Sequence, residues 1–195
     1  MLIGVSLGPG DPELLTLKAI KIIKDADEVI VPGEMAAKIV RIYREPRIVE
    51  FPMKDGKKVA KELAKEISQR EKDLIAFCCL GDVSLYSTFS LLTEEVLKIN
   101  PKIEIKVIPG VSSVSAALAA TKIFIKKSLL ITTNFEEEVV AVMKAKKSAE
   151  VAEKLRTIGY SKILLVERLF MNGERICSEI PEEADYFSII LGVKE

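Results

Sequence analysis

Gly81 and Asp82 close an unbroken apolar run that begins at Leu74, and a helical pattern starts a few residues later, near Ser87. A glycine at such a point lets the backbone approach a ligand closely. Asp82 carries the one formal charge between positions 80 and 89, and a carboxylate there suits a cationic group. Two further stretches are built alike. Gly8-Pro9-Gly10-Asp11-Pro12 follows the apolar Leu2 to Leu7, and Pro109-Gly110-Val111-Ser112-Ser113 follows Lys102 to Ile108. The hydroxyls of Ser112 and Ser113 can cap the next helix, and with nearby amides they can also hold a ligand; one use does not exclude the other. Taken singly, each stretch is also what an ordinary strand-to-helix connection looks like. A dinucleotide fingerprint fails, because Glu13 stands where its third glycine belongs and the second strand ends in Val31-Pro32, without an acid. No Gly-Lys-Ser/Thr triplet occurs, which excludes a phosphate-binding P-loop. The chain has no histidine. Ser-His-Asp hydrolysis, Cys-His proteolysis and His-ligated zinc are thereby removed, and the chemistry proceeds without a side chain that titrates near neutrality.

The elements that position these stretches alternate. Strands are expected at Leu2–Leu7, Glu28–Val31, Arg47–Phe51, Leu74–Leu80 and Lys102–Ile108, with amphipathic helices between them, the first capped by Asp11 or Thr16. Strict alternation predicts a mostly parallel sheet, and in such sheets ligands bind in the crevice beyond the strand ends. The pattern changes at Pro109-Gly110. A small-residue helix follows at Ser112–Thr121, then strands at Ser128–Thr132 and Val139–Met143, a helix at Ala149–Ile158, and strands at Lys162–Leu169 and Tyr186–Val193. Asn172-Gly173 is a strong hairpin signal, so this half requires antiparallel pairing. The expectation is two α/β domains: residues 1–109 with a mostly parallel five-stranded sheet, and residues 110–195 with a mixed sheet.

Composition narrows the function classes. The 195 residues carry 29 basic and 29 acidic side chains, a balance that argues against nucleic-acid binding through a general basic field. No apolar run approaches the roughly 18 residues of a membrane span. Met1-Leu-Ile-Gly-Val has no basic leader region, and a cytoplasmic protein is expected. Cys78 and Cys79 are adjacent in one strand and point to opposite faces, with Cys177 far away, so buried small hydrophobes are expected and a metal site is not. The few amides and the abundance of Lys, Glu and Ile are typical of heat-adapted chains.

Gly8-Pro-Gly-Asp-Pro-Glu-Leu-Leu-Thr16, Gly81-Asp-Val-Ser-Leu-Tyr-Ser-Thr88 and Pro109-Gly-Val-Ser-Ser113, in that order at the ends of strands one, four and five, resemble the tetrapyrrole methylase family. Val142-Met-Lys144 and Val166-Glu-Arg168 extend the resemblance over essentially the whole chain. Phe51-Pro-Met53, Leu85-Tyr-Ser-Thr88 and Val111-Ser-Ser-Val-Ser-Ala116 are most like the branch that methylates C20 of precorrin-2 or cobalt-factor II in cobalamin biosynthesis. The resemblance implies a cofactor cleft between two domains, S-adenosylmethionine as methyl donor with S-adenosylhomocysteine as product, a tetrapyrrole acceptor and a homodimer. Carried over by position, the donor's site comprises Pro9, Leu80, Gly81, Asp82, Leu85, Ser112, Ser113 and Met143. No catalytic base is assigned: an electron-rich ring carbon displacing a neutral thioether needs positioning and desolvation more than a strong base. Arg41, Arg44, Arg47 and Arg168 are candidate partners for substrate carboxylates, with solvated surface charge as the alternative. Two departures stand out. Val83 occupies the place of the proline in Gly-Asp-Pro, so proline there is expected to leave donor affinity equal or improved. The segment between Thr133 and Val139 is trimmed. The alternatives are a methylase of the same fold acting on another ring carbon or on diphthamide, and a non-catalytic homologue that kept the donor site.

Overall fold

The computed structural model describes residues 1–52, 54–133 and 137–194. Met53 of the Phe-Pro-Met stretch and residues 134–136 of the trimmed segment lie outside the described residues. The chain divides into two compact units, Met1–Lys126 and Lys127–Glu195, whereas the sequence expectation placed the boundary at Pro109-Gly110.

The first unit is a doubly wound α/β sandwich. Its strands are β1 (Leu2–Ser6), β2 (Glu28–Val31), β3 (Arg47–Ile48), β4 (Ile75–Cys79) and β5 (Ile105–Ile108). Its helices are α1 (Leu17–Asp25), α2 (Glu34–Val40), α3 (Gly56–Ser68), α4 (Thr88–Ile99) and α5 (Ser113–Thr121). The five strands pair in parallel in the order β3-β2-β4-β1-β5. β1 and β4 are buried along their whole length, which is why both read as continuous apolar runs. Of the two candidate caps, Thr16 is the one that caps the first helix. Thr16 Oγ1 accepts from Ala19 N–H at 3.1 Å and starts α1, while Asp11 accepts from Glu13 N–H at 2.9 Å and starts a 3-10 turn at Pro12–Leu14. β3 stops at Ile48, short of the expected Phe51. It pairs only with β2, and β2 ends at Val31 before Pro32-Gly33.

One face of the sheet is covered by α1 and α2, through Ile3, Val5, Ala19, Ile23, Ala37 and Cys78. The other is covered by α3 and α4, through Leu2, Leu63, Ile67, Phe77, Phe89 and Cys79. The adjacent cysteines thus enter opposite cores, as their strand position requires. α4 packs directly on β1 because Gly4 has no side chain: a Cβ there would stand 2.5 Å from the Phe89 ring. Phe89 in turn stacks on Phe77 with ring centroids 6.1 Å apart.

The second unit contains β6 (Val139–Met143), α6 (Ser148–Thr157), β7 (Lys162–Glu167), β8 (Arg175–Cys177) and β9 (Ser188–Val193). Its sheet order is β6-β9-β7-β8, and each recorded pair is antiparallel, where a mixed sheet was expected. Asn172-Gly173 lies in the connection between the antiparallel β7 and β8, with Gly173 at φ +85°. α6 closes one face of this sheet through Ala152 and Leu155 against Ile163, Leu165 and Ile190. Ser128–Thr132 is not a strand, contrary to expectation, and Leu129 and Leu130 are exposed. A short apolar run reads the same whether its residues are buried in a sheet or left on a surface.

Gly4→Ala is expected to lower the stability of the fold by about 1–3 kcal/mol, the cost of overpacking a filled core. A urea denaturation series reads this directly, and an unchanged midpoint would show that Phe89 yields freely.

Candidate active site

β1 and β4 are neighbours, yet their connections leave in opposite directions: β1 leads across to β2 and β4 leads across to β5. Each connection passes over the other strand, that of β1 on the face of α1 and that of β4 on the face of α4, and this reversal is a switch point at the carboxyl ends of the strands. Backbone bonds join the two loops there. Gly8 N–H donates to Gly81 O at 3.2 Å and Gly81 N–H donates to Gly8 O at 2.7 Å. Both glycines are left-handed, at φ +70° and +71°, a conformation that a side chain would strain. A Cβ on Gly81 would meet nothing nearer than Ser113 N at 3.8 Å, so this α-carbon borders open space beside the start of α5.

Both carboxylate oxygens of Asp82 accept backbone hydrogen bonds. Its Oδ1 accepts from Ser84 N–H at 2.8 Å and its Oδ2 accepts from Gly110 N–H at 2.9 Å. The carboxylate thus fastens the loop after β4 to the loop after β5. The Asp82 carbonyl also accepts from Leu85 N–H at 3.0 Å and closes a turn with Val83 and Ser84 at its centre. Val83 is buried, and its N–H donates to the buried Ser6 Oγ at 2.9 Å. Gly110 passes so close to β1 that a Cβ on it would lie 2.5 Å from Ser6 Cβ.

The structure brings Gly81 and Asp82 together with Gly8, next to Pro9, and with Gly110 and Ser113. Pro9 and Leu80 are half-buried and Leu85 is exposed. Ser112 is the N-cap of α5: its Oγ accepts from Ser115 N–H at 3.0 Å and pairs with Ser115 Oγ at 2.9 Å. Ser113 is exposed in the first turn of α5, where backbone amides have no partner within the helix. Met143 belongs to the second unit, where it ends β6 on the exposed face, while Val140 and Val142 turn to the core. Sequence reasoning missed Ser6, whose signal was a single hydroxyl inside the apolar stretch Leu2–Leu7, and it missed the contact from Asp82 to Gly110, for which no sequence signal exists. Bare glycine backbone at Gly81 thus lies beside the amides that open α5, an arrangement that can meet a polar group of a ligand.

The candidate arginines are already engaged. Arg41 pairs with Glu34 and with Glu45, and Arg44 donates to the carbonyls of Ala26 and Asp27. Arg47 forks onto Glu66 at 2.5 and 2.9 Å and reaches Glu28 at 3.4 Å. Arg168 approaches Asp185 at 3.9 Å. Hydrogen bonding from Arg47 holds the Glu66 carboxyl below its ordinary range. These contacts occupy Arg41, Arg44 and Arg47 within the protein, while Arg168 makes a long approach at the surface.

The fold is that of a doubly wound parallel α/β unit and a small antiparallel α/β unit, with the loops after β1 and β4 joined at the switch point. Residues 1–182 match the family described as Tetrapyrrole (Corrin/Porphyrin) Methylases, and the chain belongs to that family. It is 36% identical over 132 residues to a probable cobalt-precorrin-2 C(20)-methyltransferase of Methanocaldococcus jannaschii, an alignment covering 62% of this chain and 56% of the relative. It is 38% identical over 135 residues to a probable cobalt-precorrin-7 C(5)-methyltransferase of the same organism, covering 69% of this chain and 60% of the relative. The chain therefore spans little more than half the length of these curated relatives. Among solved structures, the cobalamin biosynthesis precorrin-6Y methylase of Archaeoglobus fulgidus aligns with a TM-score of 0.53 at 22% identity, covering 100% of this chain and 98% of that one.

Two outcomes follow from the geometry. Asp82→Ala removes the acceptor of the part-buried Gly110 N–H and of the exposed Ser84 N–H, and is expected to cost about 1–2 kcal/mol in chemical denaturation, whereas a cost near zero would show that water replaces the carboxylate. Burial raises the thiol pKa of Cys78, and it pushes Cys79 up to about 11. Both thiols then stay protonated and inert at about pH 8, so a thiol reagent is expected to label only the part-exposed Cys177 in the folded protein. Because the folded-state value of Cys79 lies above its ordinary 9.0, its contribution to stability is complete below pH 9.0 and is lost as pH rises toward about 11. Rapid labelling of all three cysteines would overturn this reading.

Proposed function

We propose that this chain is an S-adenosylmethionine-dependent methyltransferase of cobalamin biosynthesis that methylates a reduced tetrapyrrole at C20. The observation that carries the proposal is the joined set of loops at the switch point, Gly8 to Gly81 and Asp82 to Gly110, in a chain of the tetrapyrrole methylase family. When bound, S-adenosylmethionine supplies an electrophilic methyl group on a sulfonium. The bare backbone at Gly81 admits the donor closely, and Leu85 gives its adenine an apolar wall. The amides at the start of α5, with Ser113 exposed there, offer hydrogen bonds to its polar end. Asp82 acts by holding the loop after β5 in place, and a direct contact with the donor is not needed for that role. Met143 is assigned to the donor by the resemblance. The residues of this site orient the reactants and exclude water, and no side chain here is assigned to remove a proton.

The choice of C20 rests on the branch-like stretches around Pro52, Leu85 and Val111. The C20 and C5 relatives match to nearly the same degree, so methylation at C5 is the second reading. A homodimer belongs to the proposal. Ile123 and Phe124, 56% and 81% exposed just after α5, leave apolar surface uncovered on the single chain.

Calorimetry is expected to show S-adenosylhomocysteine binding with one site per chain. Incubation with methyl-labelled S-adenosylmethionine and cobalt-factor II is expected to place the label at C20 by NMR. Label at C5 would transfer the assignment to the second reading. Binding without methyl transfer to any tetrapyrrole would make the chain a non-catalytic homologue.

A further inference from the structure

Ser6 lies inside the sheet, beneath the loops and outside the set of residues assigned to the donor. Its hydroxyl accepts the Val83 N–H at 2.9 Å, and its Cβ is the surface against which Gly110 rests. Ser6 is 0% exposed and Val83 is 2% exposed, so water cannot replace the bond. Val83 is the second residue of the turn that Asp82 O and Leu85 N–H close. That turn position favours a fixed φ near −60°, which proline supplies by its ring and valine does not. Valine instead brings an N–H, and a buried N–H requires an acceptor. The loop is therefore held by a hydrogen bond to β1 where a ring would otherwise hold it.

We propose that Ser6 is a positioning residue for the methyl donor: through Val83 and Gly110 it sets the loops after β4 and β5 against each other. This rests on the donor site proposed above. It also reverses the expectation for proline at position 83, since in this chain proline would delete the donor that Ser6 receives.

The test is a double-mutant cycle of Ser6→Ala, Val83→Pro and the pair, read as S-adenosylhomocysteine affinity well below the unfolding temperature and as KM for S-adenosylmethionine. Each single variant is expected to weaken affinity about tenfold and raise KM in step, the scale of one buried hydrogen bond. In the pair, no N–H is left seeking an acceptor and the proline ring fixes the turn, so affinity is expected to return to within about twofold of wild type. Losses that add in the pair, or single variants that bind as wild type, overturn the proposal. Wild-type protein that binds no S-adenosylhomocysteine overturns the donor site itself, and this inference with it. Amide exchange in the wild type supplies a check that needs no variant: Val83 N–H is expected to be strongly protected, and exchange at the rate of an open amide overturns the proposal.

Discussion

The paired hydrogen bonds between Gly8 and Gly81 are the constraint on which the candidate site depends. They form only because both residues sit in the left-handed region, where a side chain would be strained. They tie together two loops that the topology sends to opposite faces of the sheet. The rest of the site is attached to this bridge. Asp82, the next residue after Gly81, reaches over to Gly110, and Val83 reaches back to Ser6 on the strand that leads into Gly8.

The sheet gives this bridge a rigid support. β1 and β4 are wholly buried, and a helix layer covers each face, so the strand ends that carry the loops have little room to shift. Part of the charge serves the same purpose. Glu28 on β2 and Glu66 on α3 share Arg47 and Arg70, and Arg70 also holds Asp73 before β4. Isolated pairs at a surface contribute about 0–1 kcal/mol each, but this is a connected set that spans the edge of the sheet. It explains why Arg47, which reads in the sequence as a candidate for an acidic substrate, is engaged with the protein's own carboxylates.

Much of the first unit was legible in the sequence, because a strand buried on both faces leaves an apolar run and a helix leaves its 3.6-residue period. The same logic failed at Ser128–Thr132, where apolar residues lie on the surface, and at β3, where pairing ends with its partner strand. The loops were legible as glycine, proline and serine at strand ends. Their mutual contacts were not, since Ser6, Val83 and Gly110 are far apart in the chain and nothing in their residue types announces that they meet.

By itself the sequence determined the alternation of strand and helix, the three polar stretches at strand ends, the absence of histidine chemistry and the family resemblance. The first three follow from local composition and spacing, and the resemblance from the match of those stretches to a known family. The tertiary structure alone decided what Asp82 and Val83 do. A carboxylate reads as a charge for a ligand until strand order places the Gly110 amide beside it. A valine in place of proline reads as lost rigidity until packing places a buried hydroxyl within reach of its N–H. Hydrogen bonds between distant segments depend on topology, and topology is set by the burial of whole elements rather than by any one stretch of residues.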